Sequence, residues 1–302
     1  ASWWTSHFVR TTDRGKYAVI SHALSAIPDA PMVVRSSILD LLDVKNYWKD
    51  SRYISNPVTV SNGRLNVTSG SYFGIRALSE DTISQMNTYR NGESYSFDIS
   101  FNATSKALLN VGGNMWQIGG YKNTQWGLPA CRTSGSLSIN GKKLTIDTEK
   151  SLTWYDRQWS PSDLPPPTGP VLFGNFIWFE LHFSKDIKAS IWSYDHRIDK
   201  SKSRRFATVR TGSGLMMLPF TLETTSKRFW TSPLSKITYP LQWTLLFAGG
   251  DFIDIESVRE DQELYGDAAL MDSIYAGVVT AKGKFLGETD AFGIVEMVSD
   301  VP

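Results

Sequence analysis

The chain has 302 residues, with 31 Lys plus Arg against 30 Asp plus Glu and a formal net charge of +1. That length accommodates two domains of about 150 residues, and the near balance of charge removes the electrostatic case for a nucleic acid or an anionic membrane as partner. Apolar residues make up 41% of the chain and supply a sizeable core, while the single cysteine, Cys131, rules out an intrachain disulfide and a cysteine-built zinc site.

In chain order, the start Ala1-Ser2-Trp3-Trp4 carries no Met and no signal peptide, and is read as a mature or trimmed product. Ile20-Ser21-His22-Ala23 alternates as a strand does, so Ser21 and His22 face opposite ways and either is a candidate for inward placement. Ser36 to Leu42 is one of two short helix candidates. Asn62-Gly63, Asn91-Gly92 and Asn140-Gly141 stand between strand-like runs and suit the positive φ angles of type I′ hairpin turns. Two glycosylation sequons, at Asn66 and Asn102, lie in extended, turn-flanked stretches. They point to a secreted glycoprotein, against which the lack of disulfides weighs.

Pro161, Pro165, Pro166, Pro167 and Pro170 crowd into ten residues and predict a stiff connection over 161–170. It separates two strand-rich halves, 1–160 and 171–302, so the expected fold is all-β, with two barrels or sandwiches. In the second half, Trp178, Glu180 and His182 share one strand face and Phe179, Leu181 and Phe183 the other, so both faces need cover. Ser190 to Asp195 alternates too. Gly249-Gly250 and Lys282-Gly283 mark turns, and Asp261 to Met271 is the second helix candidate. No run approaches the ~20 apolar residues of a membrane-spanning helix.

Several chemistries lack their motifs. There is no phosphate-binding loop, dinucleotide fingerprint, zinc-protease helix or nucleophile elbow. The histidines are His7, His22, His182 and His196, and Asp195-His196 stands without a ligand set at metal spacing, so neither a metal nor an organic cofactor is expected. Asp254-Ile255-Glu256 reads as a solvated strand edge in preference to a pair of catalytic carboxylates.

Ser151-Leu152-Thr153-Trp154-Tyr155-Asp156-Arg157-Gln158-Trp159 stands just before the prolines. Upstream are Trp126-Gly127-Leu128-Pro129-Ala130 and Arg132-Thr133-Ser134-Gly135; downstream are Trp178 to His182, Tyr239-Pro240-Leu241-Gln242-Trp243 and Asp261-Gln262-Glu263-Leu264-Tyr265. This arrangement resembles the lipocalin-like superfamily of AttH proteins, carotenoid hydratases of the hydroxyneurosporene synthase type and fungal kievitone hydratases. The resemblance runs from Trp3-Trp4-Thr5-Ser6 to Gly293-Ile294-Val295-Glu296. Arg157 stands where hydratase relatives often carry His. The resemblance implies two lipocalin-like β domains with a ligand cavity. It also implies either addition of water to alkenes or, in fungal natural-product members, pericyclic cyclisation that includes hetero-Diels–Alder chemistry.

If the motif is extended, Tyr155, Arg157 and Trp159 share one face and Trp154, Asp156 and Gln158 the other. One set can line a cavity while the other links the domains, and a buried ion pair through Asp156 or Arg157 is the structural alternative. In the functional reading Arg157 stabilises a developing oxyanion, and His182 or Glu180 acts as an acid, with Asp156 and His22 as further candidates. A satisfied structural pair is the alternative for Glu180 and His182. Trp116, Trp126, Tyr155, Gln158, Trp159 and Trp178 are the candidate lining for a hydrophobic small-molecule substrate. Three functions follow. The first is an enzyme that dehydrates an activated alcohol to an enone or o-quinone methide and holds it for cycloaddition with a terpene-like alkene. The second is a simple hydratase or lyase, and the third a non-enzymatic lipocalin-like carrier.

Overall fold

The computed structural model describes residues 1–25, 31–55, 58–118, 121–160, 174–184, 186–223, 227–266 and 273–298. Those residues form antiparallel strands joined by turns and single-turn 3-10 segments. Contacts divide the chain into two units, Ala1–Ala107 with Trp126–Trp159, and Leu108–Gln125 with Ser160–Pro302. Residues 108–125, expected in the N-terminal half, therefore belong with the second unit. The expected connection over 161–170 lies outside the described residues.

Both units have the lipocalin-like architecture: one sheet is a half-barrel and the other a nearly closed barrel. In the first, the strands Tyr47–Ile54, Met32–Asp40, Lys16–Leu24 and Ser2–Arg10 form a meander, and Leu152–Trp159 pairs with Ser2–Arg10 on its other side. The sheet continues through Tyr121–Ile139 and Tyr95–Asn102. Ser36 to Leu42, a helix candidate by sequence, is instead the end of the strand Met32–Asp40 and the bend after it. That strand pairs along its length with neighbours on both sides, and the two ladders override weak local helix propensity. The other helix candidate contributes the short strand Glu263–Leu264, and residues 267–271 lie outside the described set.

Period-2 alternation sorts each strand of the first unit into two sets. Trp3, Ala23, Val34 and Tyr155 point into one buried apolar cluster, and Val9, Val19, Ile38 and Phe97 into another. Between them runs a belt of hydroxyls around His7. Its Nδ1 lies 2.7 Å from Thr153 Oγ1 and its Nε2 3.0 Å from Thr5 Oγ1. Thr133 Oγ1 is 2.7 Å from Thr153 Oγ1, and Ser21 Oγ is 2.7 Å from Thr88 Oγ1. Burial holds His7 far down, at a pKa of about 3, so the imidazole is neutral.

The second unit orders its main strands as Leu215–Leu218, Arg204–Arg210, Lys188–His196, Gly174–Phe183, Glu288–Val298, Ile274–Phe285, Phe252–Ser257, Gln242–Phe247 and Phe220–Glu223. Phe179, Leu181, Ile191, Val209, Leu245 and Val295 fill its inner face. Asp254 and Glu256 lie on an interior strand, not on a sheet edge: Asp254 accepts from Thr244 Oγ1 at 2.6 Å, and Glu256 pairs with Arg228. The motif residue Glu263 is buried and accepts from the hydroxyls of Ser232, Ser235 and Tyr239, which pins the hairpin Phe229–Pro240.

Candidate active site

The strand Leu152–Trp159 carries the motif and splits it as alternation requires. Tyr155 faces the inner core with Trp126 edge-on at 5.6 Å. Arg157, on the same face, lies between the rings of Trp3 and Trp159, at 4.3 and 5.3 Å from their centroids. Its Nη1 donates to the carbonyls of Ser2 at 2.9 Å and Gln158 at 2.7 Å. Two indole walls and two carbonyls occupy the guanidinium, and the alternation turns it away from Asp156. Arg157, proposed from sequence as an oxyanion donor, thus sits as a clamp that ties the motif strand to the N-terminal one. Arg157→Ala is expected to destabilise the protein by about 2–4 kcal/mol, the loss of two cation–π contacts and two charge-assisted hydrogen bonds. A denaturant midpoint close to wild type would oppose that assignment.

Asp156 lies on the outer face and heads a row set by strand register. It pairs with Trp4, Trp4 with His22, and His22 with Arg35. All four are buried: Asp156 3%, Trp4 2%, His22 3% and Arg35 1% exposed. Arg35 Nη1 is 3.2 Å from His22 Nδ1, and Ser2 Oγ is 3.0 Å from His22 Nε2. A guanidinium only donates, so Nδ1 accepts, and the neutral imidazole carries its proton on Nε2, directed at Ser2. Burial and the Arg35 charge hold the His22 pKa well below the ordinary value. The Trp4 and His22 rings lie 5.2 Å apart.

Adjacent strands are about 4.8 Å apart, so Asp156 and His22 flank the Trp4 indole at about 10 Å from each other. Gly127 passes over the acidic end. A Cβ there would sit 3.0 Å from Trp154 Nε1 and 3.2 Å from Asp156 Oδ2. The missing side chain lets the Gly127 backbone approach these two polar atoms closely. A carboxyl group at one end of an aromatic floor and a neutral, oriented N–H at the other form an acid–base constellation for water chemistry on an apolar substrate.

The remaining candidates divide between faces and units. Gln158 is half-buried on the Asp156 side, while Trp126 and Trp159 are half-buried on the inner side. Trp178, Glu180 and His182 form a fully buried row in the second unit, on the face away from its core. Trp178 Nε1 donates to Ser190 Oγ at 2.9 Å, and the His182 ring stacks on Phe292 at 5.2 Å. Burial, with the Lys188 charge, keeps His182 neutral. Trp116 also belongs to the second unit, 4.8 Å from Trp192. The structure thus brings together Asp156 and His22 from the sequence-derived set, and adds Trp4 and Arg35, which the sequence reading missed. Of the sequon residues, Asn102 is exposed, whereas Asn66 is half-buried and donates to Thr68 Oγ1 at 3.2 Å. Asp195-His196 is structural, since His196 Nδ1 accepts from the backbone amides of Ile198 and Asp199 at 3.3 and 2.9 Å.

Two lipocalin-like β units place the chain in a fold class shared with a fungal hydratase and an AttH protein. The chain is 36% identical to kievitone hydratase of Fusarium solani subsp. phaseoli over 305 residues, covering 98% of this chain and 82% of that protein. It is 33% identical to the dehydratase asqC of Emericella nidulans over 316 residues, covering 98% and 84%. The crystal structure of kievitone hydratase from Nectria haematococca matches with a TM-score of 0.89 and 33% identity, over 100% of this chain and 89% of that one. A putative AttH from Nitrosomonas europaea shares the fold, with a TM-score of 0.78 at 16% identity, over 100% and 92%. The AttH-like family model matches residues 43–300, and the chain belongs to that family.

Proposed function

We propose that this protein is a cofactor-independent hydro-lyase that removes water from, or adds it to, a hydrophobic small molecule, with Asp156 as the acid–base group. The observation that carries the reading is the buried Asp156 carboxyl beside Trp4, in one register row with the oriented His22 imidazole. In elimination, the carboxylate takes a proton from the carbon next to the carbinol, the C–O bond breaks as the double bond forms, and the carboxyl returns that proton to the departing oxygen. One group balances the reaction and water is the only by-product. Hydration runs the same steps backwards. The His22 Nε2–H and the Ser2 hydroxyl it meets steady the oxygen, and Arg35 fixes the imidazole tautomer without touching the substrate.

The dehydration direction leaves an enone or o-quinone methide, and our reading extends to hetero-Diels–Alder capture of that species by a terpene-like alkene. Holding two partners together supplies up to roughly 7–11 kcal/mol without further chemical groups. The Trp4 indole beside Asp156 favours it as a flat apolar face for such partners. Mass spectrometry of chelator-treated protein with candidate alcohols and alkenes in isotopically labelled water tests both steps. Loss or labelled gain of one water supports the hydro-lyase, and a terpene adduct supports the second step. If a broad panel yields none of these products, the hydro-lyase reading fails.

A further inference from the structure

The segment Leu108–Gln125 holds a group that the reaction above does not use. Asn110 is 0% exposed, and neither its Oδ1 nor its Nδ2 has a hydrogen-bond partner among the described residues. The indole Nε1 atoms of Trp116 and Trp192 are likewise buried without a partner. Native proteins rarely leave such atoms unsatisfied, and a cluster of them calls for an explanation.

These residues share one place in the second unit. Val111, beside Asn110, has φ 53° and ψ 22°, a strained conformation for a β-branched residue, and its N–H donates to Thr208 Oγ1 at 3.0 Å. Two residues along that strand, Phe206 meets Trp116 edge-on at 5.1 Å. Strand rise puts the two anchor points about 7 Å apart. Trp116 lies 4.8 Å from Trp192, and Trp192 packs on Phe176 at 5.3 Å and Trp178 at 6.1 Å.

We infer that Asn110, Trp116 and Trp192 form a binding site for a hydroxyl group carried on a flat, unsaturated ring. The cluster offers one acceptor, Oδ1, and three donor nitrogens. A phenolic or enolic hydroxyl donates once, to Oδ1, and accepts at its two lone pairs, so it engages both sides of that inventory. A ketone or carboxylate accepts only and leaves Oδ1 unmatched; an ammonium donates only and leaves the N–H groups unmatched. The surrounding indole and phenyl rings suit a planar body. The site goes beyond the reaction assigned to Asp156 and is read by binding alone, so either conclusion can fail without the other.

Isothermal titration of the full chain with para-propylphenol and with its methyl ether, para-propylanisole, tests the site. The phenol is expected to bind about tenfold or more tightly than the ether, because a site built for a hydroxyl rejects the analogue that cannot donate. Asn110→Leu should bring the two within about twofold of each other without lowering the melting temperature, since it removes unsatisfied amide atoms from an apolar setting. Trp116→Phe keeps the wall, removes one N–H and should reduce the preference several-fold; it carries the test if the leucine variant does not fold. Equal binding of the two probes, or binding of neither, overturns the proposal and leaves the cluster as a place for water. So does a preference that survives in whichever of the two variants folds.

Discussion

Asp156→Asn is expected to lower turnover by about 100- to 10,000-fold, the usual contribution of a positioned general acid–base group, while the protein stays folded. Asparagine has the same shape as aspartate and cannot take or return a proton. Because Asp156 is 3% exposed, a change in melting temperature reports any structural part it plays. Single-turnover rates by mass spectrometry beside calorimetric melting separate chemistry from folding. Near wild-type turnover in a folded variant would remove Asp156 from the reaction, and unfolding would make it architectural.

Acid is expected to unfold the protein at a higher pH than its carboxylates alone require. His7, His22 and His182 are all buried, and each has its native pKa depressed, His7 to about 3. Such a group takes up its proton on unfolding. The stability it contributes is therefore complete above the unfolded value of about 6.5 and drains away as pH falls towards the native value. A histidine that stays neutral through that window costs roughly 1.4 kcal/mol per pH unit. Denaturant midpoints measured from pH 7 to pH 4 should show the loss, and His7→Gln should remove roughly 1.4 kcal/mol per pH unit of it. A slope unchanged by the substitution would mean that His7 already titrates normally in the native state.

The period-2 features were legible from sequence because a strand needs no distant information to alternate. The split of the motif into Asp156 and Arg157 faces, the two-faced burial of Trp178 to Phe183 and the positive φ angles at Asn62-Gly63 and Asn140-Gly141 all follow from local residues. Other turns were misplaced for an equally local reason. Asn91-Gly92 lies in a longer connection without the left-handed pair. Lys282-Gly283 is an irregularity inside Ile274–Phe285, and the tight turn comes at Leu286-Gly287. The buried polar row was only half visible. It joins residues 156, 4, 22 and 35 through three ladders, and nothing local tells Trp4 from Trp3 or sets the register that places Arg35 beside His22. One signal did exist: a lone cation inside Val33-Val34-Arg35-Ser36-Ser37-Ile38, a strand too apolar on both sides to leave Arg35 in water. The hydrogen bonds that commit Arg157 to Ser2 and Gln158 depend on backbone placement and had no sequence signal.

The belt around His7 bears on what kind of container the first unit is. Transport lipocalins carry cargo in a hollow calyx. Here that space is taken up by Phe73, Phe97, Phe101, Tyr95 and Tyr155, with a collar of threonines and serines hydrogen-bonded across the middle. The fold is thus used inside out, with the solid interior serving as a mount and the row of Asp156, Trp4 and His22 on its outer wall. Each strand then carries two separate messages on alternate letters: Trp3, Thr5, His7 and Val9 specify the mount, and Trp4, Ser6 and Phe8 the wall. Substitutions in the second set therefore reshape the wall while leaving the packing that holds the fold untouched.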